Sequence, residues 1–121
     1  MPSLQKYDIW LADLNPRIGT EPGKIRPVII IQSDFLNNIH PSTIICPITT
    51  NINRTSKILR ISLPNNYSGL AKPSDILVDQ IRSIDNKRFI KRLGTISPGL
   101  RNLLNTNLKI ILDLEPQHNV I

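Results

Sequence analysis

The sequence predicts a mainly β domain with a C-terminal helix, arranged as a small, strongly curved sheet or an SH3-like barrel. Three observations lead to this fold class. Short apolar segments follow one another between turn signals, helical periodicity begins only after Ser97, and strands do not alternate with helices as a parallel sheet requires. A chain of 121 residues has room for one domain. We therefore predict a single domain over residues 1–114 and a flexible tail over residues 115–121.

Period-two alternation and runs of β-branched residues mark the predicted strands. They cover residues 7–14, 27–32, 42–49, 58–63, 75–84 (one or two strands) and 92–96. The first of them is apolar on both sides, so we expect it to be buried on both faces. Proline cannot donate a hydrogen bond to a neighbouring strand. Pro27 should therefore stand first in its strand or at an edge, and Pro47 should mark an edge or a bulge.

The C-terminal helix has both a start signal and an apolar face. Ser97 is a favourable N-cap, and Pro98 is of the type preferred at the first helical position. The predicted apolar face consists of Leu100, Leu103, Leu104, Leu108 and Ile111, and the polar face of Arg101, Asn102, Asn105 and Lys109. This pattern predicts a helix of about four turns that lies on the sheet.

The charge of the chain favours a polyanionic partner. Fifteen Lys and Arg against nine Asp and Glu leave a net charge of +6 and a pI of about 9.9. Such a surplus attracts nucleic acid, an anionic membrane surface or an acidic protein segment. Membrane binding is the least favoured, because the sequence has no basic amphipathic helix and no apolar run of about 18 residues. A single cysteine and no secretory signal predict a cytoplasmic protein.

Common cofactor and catalytic motifs are absent from the sequence. It has no Cys/His cluster of the kind that binds zinc. The segment GTEPGKI looks like a phosphate-binding P-loop, but its glycines are too close together and Ile25 stands where Ser or Thr must follow the lysine. His40 and His118 lie in a polar connection and in the tail, where nothing brings them together. We therefore expect neither a metal nor another cofactor.

The loop before the strongest strand is the most promising site. The segment Gly19–Gln32, GTEPGKIRPVIIIQ, places Glu21, Lys24 and Arg26 directly before a β-branched run. Loops on a rigid scaffold often carry binding and catalytic residues. A guanidinium matches two phosphate oxygens, and the hydroxyl of Thr49, at the end of the next strand, can donate to a third. Each residue alone is better explained as a solvated charge or a strand end.

Three segments carry a resemblance that covers nearly the whole chain. IWLADLNPRIGTEPGKIRPVIII, ICPITT and ILVDQIRSID, in this order and spacing, resemble the MazF/PemK family of toxin endoribonucleases from about residue 7 to residue 114. The resemblance implies the SH3-like barrel of the MazF, PemK and CcdB toxins, and a homodimer. It also implies sequence-specific, metal-independent cleavage of single-stranded mRNA, and a cognate antitoxin of the MazE type.

The resemblance also assigns roles to residues. Arg26 corresponds to the catalytic arginine of an R-P-V motif, and Thr49 to the threonine that closes the following strand. Glu21 corresponds to the loop glutamate, and two roles stay open for it: removing the 2′ proton, or hydrogen-bonding a base and anchoring the loop. The RNA-binding positions that the resemblance implies are Thr20, Lys24, Thr50, Asp79 and Gln80.

The implied reaction needs few groups, because RNA brings its own nucleophile. The enzyme aligns the 2′-hydroxyl with the phosphorus and stabilises the charged phosphorane. Arg26 would stabilise that charge and could protonate the leaving 5′-oxygen, while Thr49 would bind a non-bridging oxygen. The expected products end in a 2′,3′-cyclic phosphate and a 5′-hydroxyl. Two alternatives stay open: a gyrase-poisoning toxin with the same fold, and a non-catalytic RNA-binding module.

The same surface should also bind the antitoxin. A basic groove that binds single-stranded RNA is equally suited to an extended acidic peptide. We expect an antitoxin segment that is rich in Asp and Glu, is disordered when free, and covers Arg26 when it is bound.

Overall fold

Antiparallel strands and one long C-terminal helix form the fold in the computed structural model, which describes residues 3–16, 18–20, 24–53 and 56–114. The elements are β1 (Asp8–Asp13), β2 (Ile25–Ile30), β3 (Ser42–Thr49), β4 (Arg60–Leu63), β5 (Ser74–Leu77), β6 (Arg82–Asp85), β7 (Phe89–Thr95) and α1 (Pro98–Leu112). A 3-10 turn, Asn86–Arg88, precedes β7. The predicted fold class is thereby confirmed. The predicted tail, residues 115–121, lies outside the described residues.

The strands follow the order β4-β5-β3-β2-β1-β7, and β6 pairs with β3 outside this path. Strand β3 changes its partner along its length, since Ser42–Ile45 pair with β6 and Ile48–Thr49 pair with β5. Pro47 lies at this change of partner, where its missing N–H disrupts no ladder. Pro27 is the third residue of β2, and β3 pairs with β2 only from Val28 onward. Both prolines nevertheless lie in central strands, so the predicted edge positions are wrong; Pro27 lies directly before the start of the β2–β3 ladder and Pro47 at the change of partner of β3.

The barrel is not closed by a backbone ladder, because the edge strands β4 and β7 do not pair with each other. The turn-rich segment 64–73 spans the gap between them. Within this segment, the Ser68 hydroxyl donates to the carbonyl of Thr95 in β7, and the Tyr67 hydroxyl accepts a hydrogen bond just beyond β7. Leu70 is buried in the core. Loop packing therefore completes the wall of the barrel.

Two apolar clusters lie on opposite faces of the central strands. The larger cluster, which also includes the buried face of α1, contains Ile9, Ile29, Cys46, Ile76 and Leu104. The smaller cluster contains Trp10, Ala12, Val28, Ile45 and Ile84. Because successive residues of a strand point to opposite faces, β1, β2 and β3 contribute to both clusters. The prediction that β1 is buried on both faces is confirmed.

Helix α1 begins as predicted, with the Ser97 hydroxyl accepting from the first turn. Its apolar face is narrower than predicted. Leu104 is fully buried, but Leu103 is 44% exposed, so its assignment to the buried face is wrong. Arg101 and Asn105, assigned to the polar face, are partly buried and hydrogen-bond to residues beside β1 and β7. The helix is thus attached to the sheet by polar contacts at its margin as well as by apolar ones.

Candidate active site

Strand register brings Arg26 and Thr49 to adjacent positions. Strands β2 and β3 pair Val28 with Pro47 and Ile29 with Cys46, and the same register continued by two residues places Arg26 opposite Thr49. Directly opposite residues of an antiparallel pair point to the same face of the sheet. Both side chains are partly buried. Arg26 and Thr49 thus hold corresponding positions two residues beyond the end of the β2–β3 ladder, on two neighbouring strands.

The same line of residues continues across the sheet in both directions. Arg26 pairs with Ala12 of β1, Thr49 pairs with Asp75 of β5, and Asp75 pairs with Ser62 of β4. We call these five residues the site row: Ala12, Arg26, Thr49, Asp75 and Ser62. Within this row the β3–β5 ladder pairs Thr49 directly with Asp75, whereas Arg26 corresponds to Thr49 only by continuing the β2–β3 register. Thr49 thus has a carboxylate opposite it on one side and, on the other, the strand that carries Arg26.

The hydroxyl of Thr49 is oriented by the turn that ends β3. Thr49 Oγ1 accepts a hydrogen bond of 3.1 Å from the backbone N–H of Asn51. A hydroxyl oxygen that accepts from the backbone keeps its own proton for a further acceptor. Thr49 is therefore suited to donate to an anionic oxygen that approaches the site row.

A buried ion pair lies behind Thr49, and sequence reasoning missed it. Asp75 is fully buried, and its Oδ2 lies 3.3 Å from Arg60 Nη1 and accepts from the backbone N–H of Asn53 at 3.2 Å. Arg60 Nη1 also donates to the carbonyl of Asn51 at 2.7 Å. The one available signal was a carboxylate within the otherwise apolar segment DILV, which is unusual for a buried strand.

The base of the β1–β2 loop is held by backbone and side-chain contacts. The N–H of Leu14 donates to the carbonyl of Lys24 at 2.8 Å, and the N–H of Lys24 donates to Asn15 Oδ1 at 2.8 Å. Arg88 Nη1 donates to the carbonyl of Asp13 at 2.9 Å. These contacts fix the chain directly before Arg26, and the contribution of Arg88 was not predicted.

The remaining predicted site residues lie in three places. Exposed positions are held by Thr20, Lys24, Thr50 and Asp79. Gln80 is partly buried. It comes two residues before Arg82, the first residue of β6, which pairs with Ile45 of β3. Glu21 lies outside the described residues, so both alternatives for its role stay predictions.

The described part of the chain has two further properties that bear on function. Within it, no group of three or more His, Cys, Asp or Glu residues is arranged to hold a metal ion. None of the helices in the described ranges has the length and hydropathy needed to cross a bilayer.

The structure is thus a small antiparallel β domain with one C-terminal helix, and Arg26 and Thr49 lie on two neighbouring strands. Residues 5–112 match the family of PemK-like, MazF-like toxins of type II toxin-antitoxin systems. The chain is 36% identical over 111 residues to a protein of Staphylococcus saprophyticus named endoribonuclease MazF, and the match covers 92% of each chain. The chain therefore belongs to the PemK/MazF toxin family, which confirms the resemblance seen in the sequence.

Solved structures support the same fold. MazF of Deinococcus radiodurans has a TM-score of 0.79 at 19% identity, with 94% of this chain and 100% of that chain covered. A mycobacterial endoribonuclease in complex with its cognate antitoxin has a TM-score of 0.74 at 17% identity, with 93% of this chain and 98% of that chain covered. The open sheet with its C-terminal helix is thus the fold of these toxins.

Proposed function

We propose that this toxin is an endoribonuclease that cleaves single-stranded RNA at short sequence motifs, with Arg26 and Thr49 as its catalytic residues. The observation that supports the proposal is the β2–β3 register, which, continued by two residues, relates Arg26 of β2 to Thr49 at the end of β3. The relative named endoribonuclease MazF, at 36% identity over nearly the full chain, supports the reaction class.

The proposed reaction is an in-line attack of the 2′-oxygen on the adjacent phosphorus. The bond to the 5′-oxygen breaks, which leaves a 2′,3′-cyclic phosphate and a 5′-hydroxyl. The guanidinium of Arg26 stabilises the extra negative charge on the phosphorane, and Thr49 donates its hydroxyl proton in a hydrogen bond to a non-bridging oxygen. The reaction needs no metal ion, because the nucleophile belongs to the substrate and the charge is met by Arg26.

Residues around the site row would bind the RNA strand on either side of the scissile phosphate. Gln80 has a side-chain amide that can both donate to and accept from a base edge. The other proposed RNA-binding residues are Thr20, Lys24, Thr50 and Asp79. Glu21 either removes the 2′ proton or holds the loop and a base in position.

The functional unit is proposed to be a homodimer. Large apolar side chains at the β2–β3 connection are exposed, with Phe35 90% and Ile39 80% accessible. Beside them lies a groove of about 480 Å³, whose apolar lining residues include Ile31, Leu36, Ile44, Ile81, Leu108 and Leu112. Exposed apolar surface of this kind generally marks an interaction site. A second copy of the chain is the proposed occupant.

A cognate antitoxin is the proposed inhibitor, and the cytoplasm the proposed compartment. The net charge of +6 favours an acidic peptide as well as RNA. An antitoxin segment rich in Asp and Glu that lies over Arg26 would compete with RNA for the site row.

The proposal is tested by cleavage of a defined RNA in excess EDTA. Arg26→Ala and Thr49→Ala should each lower kcat/KM by about 10²- to 10³-fold, the usual effect of removing one group that stabilises transition-state charge. Thr106→Ala, which changes an exposed helix threonine, should cleave at the wild-type rate. Thermal unfolding of each variant checks that the fold is retained, and mapping of the cut ends identifies the products.

Three outcomes would contradict the proposal. Wild-type cleavage by folded Arg26→Ala would remove the assigned catalytic role. Binding of RNA without cleavage would favour a non-catalytic module. Inhibition of gyrase with no effect on RNA would favour the gyrase-poisoning alternative.

A further inference from the structure

We propose that Arg60 and Asp75 are a positioning pair for the catalytic threonine: they fix the turn after Thr49, and Arg60 neutralises a carboxylate that would otherwise oppose the phosphate. The inference rests on the proposed function of Thr49. Neither residue of the pair is proposed to touch the RNA.

Hydrogen bonds to Arg60 and Asp75 hold both ends of the turn that follows Thr49. Arg60 Nη1 binds the carbonyl of Asn51 at 2.7 Å, and Asp75 Oδ2 binds the N–H of Asn53 at 3.2 Å. Between these contacts, the N–H of Asn51 donates to Thr49 Oγ1 at 3.1 Å. The orientation of the Thr49 hydroxyl therefore depends on a peptide segment whose position is set by the ion pair.

The electrostatic role of Arg60 follows from the position of Asp75 in the site row. Asp75 is directly opposite Thr49, so its carboxylate lies one strand from the hydroxyl that would bind the phosphate. The Asp75 side chain is 1% exposed, and water cannot screen it effectively. Arg60, 22% exposed, supplies the compensating charge from β4. The pair thus lets a buried carboxylate fix the turn without repelling an anionic substrate.

An unbonded oxygen of Asp75 indicates that the Arg60–Asp75 pair has a role other than stability. Oδ1 is buried and has no hydrogen-bond partner among the described residues. Burying such an atom costs free energy, and replacing a buried ion pair by apolar side chains of similar shape is often neutral or stabilising. Because Oδ1 makes no hydrogen bond, stability alone does not explain a carboxylate at this position. The other oxygen, Oδ2, holds the turn.

The test uses a double variant that removes the pair without leaving a lone buried charge. Asp75→Leu keeps the length and branching of the carboxylate, and Arg60→Met keeps an unbranched apolar stem without the guanidinium. We expect the variant to unfold at or above the wild-type temperature, while kcat falls ~10- to 100-fold, as small misplacements of catalytic groups do. KM should change less, because the residues proposed to bind the RNA remain.

Another ion pair among the described residues, between Asp8 and Arg92, provides a matched control. Asp8 in β1 and Arg92 in β7 lie 3.0 Å apart, and the Asp8 side chain is 5% exposed. Asp8 is at the opposite end of β1 from Ala12 of the site row. Asp8→Leu with Arg92→Met makes the same chemical change away from the turn, and its kcat should equal that of the wild type.

The outcomes separate this inference from the proposed function. A folded Arg60/Asp75 double variant with wild-type kcat would overturn the positioning role, as would an equal loss of kcat in the control. If the double variant does not fold, Arg60→Lys replaces it, because the ammonium keeps the charge that compensates Asp75 but lacks the guanidinium that bonds the Asn51 carbonyl and Asp75 together. An unchanged kcat in folded Arg60→Lys would also overturn the inference. Absence of RNA cleavage by the wild-type protein would instead refute the proposed function itself.

Discussion

Cys46 shows at the scale of one residue how burial controls reactivity. Its side chain is fully buried in the larger apolar cluster, and Sγ lies 3.8 Å from the carbonyl oxygen of Val78. Burial, with a smaller contribution from the carboxylate of Asp79, raises the pKa of the Cys46 thiol to about 12. Since the thiolate is the reactive form, the folded protein keeps this cysteine neutral and inert at physiological pH.

The raised thiol pKa predicts a loss of stability at alkaline pH. In the unfolded chain the thiol ionises near its ordinary pKa of 9.0, whereas in the folded chain it stays protonated until about pH 12. Between these values the folded state binds more protons, so the free energy of unfolding should fall as pH rises, by up to about 1.4 kcal/mol per pH unit from this group. Urea denaturation of the wild type and Cys46→Val at several pH values isolates the thiol. Parallel pH dependences of the two proteins would contradict the prediction.

At the scale of elements, local patterns predicted the strands and the helix but not their partners. Most strand positions followed from alternation, and the helix from its cap and period. The start of β7 was placed at Arg92 instead of Phe89, because two irregularities in its pairing with β1 interrupt the period-two pattern. The change of partner within β3 could not be predicted, since nothing in STIICPIT indicates which strands lie beside it.

The candidate site was predictable to a similar extent. The motif around Arg26 and the strand end at Thr49 are visible in the sequence, and the β2–β3 register, continued by two residues, relates the two positions. The Arg60–Asp75 pair was missed, because these residues come from different strands and meet only through the β4–β5 ladder. Contacts of that kind depend on tertiary packing, which local patterns do not encode.

The segment that spans the open edge of the barrel depends on one glycine. Gly69 has a φ of +82°, and a Cβ there would lie 2.7 Å from the carbonyl oxygen of Leu93. We predict that Gly69→Ala lowers the free energy of unfolding by roughly 1–3 kcal/mol, because both the backbone conformation and the close contact resist a side chain.

Gly99 provides the matched control for this substitution. It lies in the first turn of α1, and a Cβ would meet no atom within 4 Å. Gly99→Ala should leave stability unchanged or raise it by up to about 1 kcal/mol. Urea denaturation of the two variants measures the difference, and equal stability would show that segment 64–73 does not need to approach β7 so closely.

At the scale of the whole molecule, the sheet has two different faces, one with the site row and one with helix α1. The chain carries +6, and a proposed dimer would carry twice that charge. Residues of the site row lie on the same face as the smaller apolar cluster, since Ala12 belongs to both. Helix α1 packs with the larger cluster on the opposite face. RNA and the helix should therefore occupy different sides of the sheet.

Salt dependence tests whether the basic surplus serves RNA binding. With an RNA made uncleavable by a 2′-deoxy substitution at the scissile position, log K should fall linearly with log salt, with a slope of about −0.7 per phosphate contact. Lys24→Gln should reduce the magnitude of this slope by about one contact. Lys109→Gln, on the exposed side of α1, should leave it unchanged. An affinity that is equal at low and physiological salt would show that the surplus is incidental.

The site row also has a consequence for the order in which the protein is synthesised. Ala12, Arg26 and Thr49 leave the ribosome early, whereas Asp75 follows only after β4 and the segment that spans the barrel edge. Because a domain folds as a unit, a nascent chain that ends before β5 has Thr49 on a strand without its partner. The toxin thus gains its complete proposed site only after its message has been translated through β5.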